Sequence, residues 1–100
     1  RRRAQRERER RLDVGDAPLS AAAAGLFEAL RELRGQLARE AGLPAYLIFH
    51  DATLRAIAEL RPRDREALGR ISGIGNSKLE RYGEAVLALV EDWGASGQAA

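Results

Sequence analysis

Between residues 20 and 41 the large apolar side chains fall on one stripe. Leu26, Leu30, Leu33 and Leu37 recur at spacings of four, three and four, the repeat of a helix with one buried face. Phe27 widens that stripe, whereas Glu28, Arg31, Glu32 and Arg34 fall outside it and are expected to face solvent. Ser20 is the expected N-cap, Gly42 the residue that ends the helix, and Pro44 keeps it from resuming. Residues 44–49 form a short connection rich in large side chains, most of which are expected to tuck against the core. Asp51 is read as the cap of a second helix reaching residue 60 or 61, with Leu54, Ile57 and Leu60 inward and Pro62 as its stop. A short third helix is expected over 64–70, burying Leu68 with Ile71 after it. The last, over 76–93, buries Leu79, Tyr82, Val86, Leu87 and Val90.

No segment alternates apolar and polar residues as a strand would. The pattern therefore predicts an all-α fold, a compact bundle of about five helices. Residues 1–19 read as a charged arm and linker, 20–93 as one domain, and 94–100 as a small, polar, flexible tail. The first residue is Arg1 rather than methionine, so the chain is expected to be a piece of a larger protein.

Charge changes this picture in one respect. The net charge of +2 is unevenly spread: residues 1–19 carry seven arginines against four acids, and the remainder is slightly acidic. A near-neutral body lacks the strong positive field of a tight nucleic-acid binder. The absence of cysteine and the single histidine, His50, exclude disulfides and cysteine-based metal sites. His50, just before the second helix, is expected in a surface or capping role. The lack of disulfides fits a reducing cytoplasm, where the protein is expected, and no apolar run approaches the length of a membrane span. No nucleophile–histidine–acid set, phosphate-binding loop or two-metal acid cluster is present, so no catalysis, cofactor, metal or small-molecule substrate is expected of this domain.

The candidate chemistry lies between the last two helices. Gly73-Ile74-Gly75 reads as a tight, helix-hairpin-helix-like turn with Ile74 pointing inward. The amides that open the following helix, with Lys78 one turn on, suit an anion such as a phosphate. The same residues also serve as a plain short connection. Lys78 and Arg81 stand three apart on neighbouring faces; either they hold phosphates, or Arg81 pairs with Glu80 or Glu84 and Lys78 is merely solvated.

Taken together, four motifs in order resemble the HRDC ("helicase and RNase D C-terminal") domain, most like that of a bacterial RecQ-type DNA helicase. They are Leu30-Arg31-Glu32-Leu33-Arg34, then Ala41 to Phe49, then Asp51-Ala52-Thr53-Leu54, and finally the glycine turn leading to Lys78-Leu79-Glu80-Arg81-Tyr82-Gly83. The resemblance covers about residues 26–90. It implies an auxiliary module that binds single-stranded or structured DNA weakly and tunes a helicase's choice of substrate in repair and recombination. Tyr46 then stands where single-strand-binding members resemble a base-stacking platform, although a core tyrosine with its hydroxyl at the surface is an equal reading. Two alternatives stay open. One is a docking module against the helicase core of the same polypeptide, using Glu59, Asp64, Glu66 and Trp93. The other is a domain of an RNase D-type ribonuclease acting on RNA. Trp93 is also read more simply as a lid on the core.

Overall fold

The computed structural model describes residues 19–99, with side chains as far as Gly94; the arm at residues 1–18 lies outside it. Five helices occupy these residues: α1 (Ala21–Ala41), α2 (Ala45–Ile48), α3 (Asp51–Leu60), α4 (Arg65–Gly69) and α5 (Asn76–Ala99). There is no strand among them. α1 packs on α2, α3 and α5, and α4 packs on α5.

Each boundary has a local cause. Ser20 caps α1 through its Oγ, which accepts from the Ala23 N–H at 3.1 Å. Gly42 ends that helix at φ 69°, where its own N–H and that of Leu43 meet the carbonyls of Arg39 and Ala38. Asp64 caps α4 by accepting from the Ala67 N–H at 2.8 Å. The expected stripe of α1 lies inward, with Leu26 and Leu30 fully buried and Leu33 and Leu37 partly so. α3 is the central helix: Thr53, Leu54, Ala56, Ile57 and Ala58 are all buried. Its two small alanines let neighbours approach from more than one side. α5 contributes Tyr82, Val86 and Val90, spaced four apart down one face.

Four expectations need correction. Asp51 does not cap α3: His50 holds the N-cap position without a side-chain bond, and Asp51 reaches sideways to α1. Leu60 is 46 % exposed, because α3 ends there and the chain turns away through Arg61. The 44–49 connection buries only Ile48 and Phe49, since a helix of one turn has a single inward face. Leu43, Tyr46 and Leu47 are left outside. Finally, α5 runs on to Ala99, beyond residue 93 where the inward pattern was expected to end.

Candidate nucleic-acid interface

The site is built outward from Phe49. This ring is buried at the end of α2, edge-on to Tyr82 of α5 with centroids 5.8 Å apart and planes at 75°. Such an edge-to-face pair contributes about 0.5–1.5 kcal/mol beyond its buried area and sets where α5 begins relative to α2. The Lys78 ammonium lies over the same ring, 5.9 Å from its centroid. That geometry restrains a flexible cation without neutralising it. Three residues before Phe49, Tyr46 leaves 59 % of its surface in solvent, so the core-tyrosine reading is not what the fold adopts.

The turn before α5 is held from beneath. Thr53, the one buried polar residue among those described, donates from Oγ1 to the Ser72 carbonyl at 3.1 Å. Gly73 takes φ 94°, a left-handed conformation, and a Cβ there would collide with Thr53 Oγ1. Ile74 drops into the core, and its N–H closes a turn onto the Ile71 carbonyl at 3.2 Å. Gly75 differs: its φ is not positive, and a Cβ would meet nothing within 4 Å. Its carbonyl accepts the Leu79 N–H at 2.9 Å, the bond that opens α5. The amides before Leu79 have no carbonyl within the helix to meet, and Gly75, Asn76 and Ser77 are exposed. No acid covers this turn in any ion pair among the described residues, and neither Lys78 nor exposed Arg81 is paired.

One residue that positions this face was read from sequence as merely solvated. Arg34 lies partly buried on α1, its side chain 11 % exposed. Its Nη1 donates both to the Phe49 carbonyl, at 2.9 Å, and to Asp51 Oδ1, at 2.7 Å. The guanidinium thus ties α1 to the joint between α2 and α3, with Nε left buried and unbonded. Its place at the edge of the leucine stripe was the available signal, because a long cationic side chain there can run its stem along the core. Thr53 was missed as well; a threonine on an otherwise apolar helix face was the clue.

The four docking candidates have partners inside the domain. Glu59 Oε1 accepts from Ser20 Oγ at 3.0 Å, Asp64 caps α4, and Glu66 pairs with Arg70 at 3.1 Å. The Trp93 ring lies against Gly25, where a Cβ would come within 2.8 Å of Cζ2, so it closes the seam between α1 and α5. No cluster of metal-ligating side chains occurs among the described residues, and no described helix is long and apolar enough to cross a membrane.

Comparison with known proteins places this architecture. The sequence matches the HRDC domain over residues 23–90, and the chain belongs to that family. A solved structure, the third HRDC domain of D. radiodurans RecQ, superposes with a TM-score of 0.69 at 40 % identity, covering 72 % of this chain and 95 % of that one. The ATP-dependent DNA helicase RecQ of Haemophilus influenzae is 40 % identical over 67 residues, which is 67 % of this chain and 11 % of the helicase. The ATP-dependent DNA helicase UvrD2 of Mycobacterium tuberculosis is 54 % identical over 61 residues, 61 % of this chain and 9 % of that protein. The chain thus spans about a tenth of the length of the curated helicases it matches.

Proposed function

We propose that this domain is an auxiliary, non-catalytic module of a DNA helicase. It holds single-stranded or structured DNA weakly and tunes which substrates the motor accepts. The carrying observation is the exposed Tyr46 ring on the same joint that supports Lys78 through Phe49. One ring stacks one base without reading sequence, contributing about 1–3 kcal/mol. Lys78 and the amides opening α5 supply two or three phosphate contacts. Gly75 supports this reading, because neither its backbone angle nor its surroundings demand a glycine, whereas close approach of a phosphate does. The near-neutral body predicts affinity far below that of a dedicated DNA-binding protein.

The test is a titration of labelled single strands against the domain over a salt series. Two or three phosphate contacts predict a log–log slope of about −1.4 to −2.1. Absence of binding even at low salt removes the reading.

A second reading concerns the parent protein. The resemblance pointed to a RecQ-type helicase, and the RecQ relatives support it. The identity to UvrD2, 54 % against 40 %, favours a helicase of that second kind carrying the same module. Sequencing the gene that encodes this domain separates the two by the helicase motifs it carries, and an exonuclease acid set would instead favour the RNase D alternative.

A further inference from the structure

Of the four large apolar residues left exposed among the described residues, three fall within five positions: Leu43 at 40 %, Tyr46 at 59 % and Leu47 at 47 %. The shape of α2 is the cause. In a helix of one turn Ala45, Ile48 and Phe49 share the inward side and meet the core, which leaves Tyr46 and Leu47 outside. Leu43 stands just before them, its N–H held by the Ala38 carbonyl at 3.0 Å. Pro44 fixes the intervening step at φ −62°, and the Leu47 N–H returns to the Pro44 carbonyl at 3.0 Å. The backbone beneath the three side chains is thus set in place, so little of it must be ordered on binding.

A single exposed leucine is ordinary, but three large apolar side chains grouped together mark a contact surface. One phenol ring is enough to stack one base. The two leucines beside it widen the apolar surface beyond what one base covers. A base pair is wider, and leucine is among the apolar side chains that lie against base-pair faces where a stack is interrupted. Charge agrees with an end-on contact. Exposed Arg39, Glu40 and His50 flank the patch in sequence and offer no row of cations. A duplex laid along this face would need cations against successive phosphates, and Glu40 opposes that. The face of a terminal base pair carries no charge, so the same mixture does not repel it. Phosphates meet Lys78 instead, whose ammonium lies over the Phe49 ring, two positions on from Leu47.

We infer that Leu43, Tyr46 and Leu47 hold the last base pair of a duplex at the point where it opens into a single strand. The exposed face of that pair lies on the patch, and the strand leaving it passes to Lys78 and the amides that open α5. This rests on the DNA-binding reading above and narrows its ligand to the junction.

The experiment is a fluorescence-anisotropy titration of the intact chain with three labelled DNAs at low salt. They are a single strand, a hairpin carrying that strand as an overhang, and the same stem closed by a loop at each end. The overhang hairpin is expected to bind about five- to tenfold more tightly than the single strand, from the added apolar contact. The closed stem should bind most weakly. Leu47→Gln should lower the hairpin-to-strand ratio about two- to fivefold, and adding Leu43→Gln should bring it close to one. Lys78→Gln should weaken both ligands and keep the ratio. Leu47→Gln alone decides should the double variant lose its helical circular dichroism. The inference is overturned if the hairpin binds no better than the strand, if the closed stem matches the hairpin, or if Leu47→Gln leaves the ratio unchanged. Binding of the single strand in those cases leaves the broader DNA reading standing, whereas failure of all three DNAs to bind overturns both. Leu43 and Leu47 methyl resonances that move with protein concentration and not with DNA would assign the patch to a second copy, and overturn the inference as well.

Discussion

The two halves of α5 face solvent in opposite ways. At its start, polar groups are tied into the fold from below: Arg34 to Phe49 and Asp51, and Thr53 to Ser72. What remains outside is one ring, one ammonium over another ring, and a row of amides. Toward its end Arg61 and Arg63 stand beside exposed Glu91 around a groove whose apolar side is Leu87 and the buried Val90. A near-zero net charge therefore conceals two different surfaces. Where each charge is used matters more than how many there are.

The two glycines of the α4–α5 turn give the sharpest way to break this comparison. Gly73→Ala forces a Cβ into Thr53 at positive φ and should destabilise the domain by about 2–4 kcal/mol, read as a lower urea midpoint. Gly75→Ala should leave that midpoint within about 0.5 kcal/mol and weaken DNA binding instead. Equal loss of stability in both would show that the turn is only a structural connection.

Arg34→Ala should come next, at about 1–3 kcal/mol of unfolding free energy, for loss of the bond to the Phe49 carbonyl more than the Asp51 pair. The Asp51 side chain is 69 % exposed, so Asp51→Asn should cost under about 1 kcal/mol. Tyr46→Ala should leave stability nearly unchanged and reduce single-strand affinity about five- to hundredfold, measured by fluorescence anisotropy. Combining it with Arg34→Ala should give less than the sum of the two binding losses, since a misplaced ring has less to lose. The smallest effect is expected for Lys78→Gln, which should make the salt slope shallower by about 0.7 with little change in stability.

Much of the fold was legible in the chain, for a reason visible in its helices. The leucines of α1 repeat without interruption, Ser20 and Gly42 are unambiguous ends, and the glycine turn before α5 stands apart from its neighbours. The errors share one cause. Arg34 looked solvated because its partners lie 15 and 17 residues away, and no spacing rule reports a contact across elements. Leu60 and Leu47 looked buried because periodicity records which face a side chain takes, not whether anything covers that face. The hydroxyl, amide and guanidinium that Glu59, Asp64 and Glu66 meet inside the domain were likewise not visible in the sequence. Tyr46 was evenly balanced between core and surface; its exposure was decided by the fold.

The contact of Trp93 with Gly25 has a practical use. The chain contains a single tryptophan, so its indole emission reports on one place, the junction of the first and last helices. Ligands at the start of α5 should leave that emission largely unperturbed, whereas opening of the junction should shift it to the red. Each molecule thus carries its own optical gauge of whether the helical frame stays closed while its surfaces are occupied.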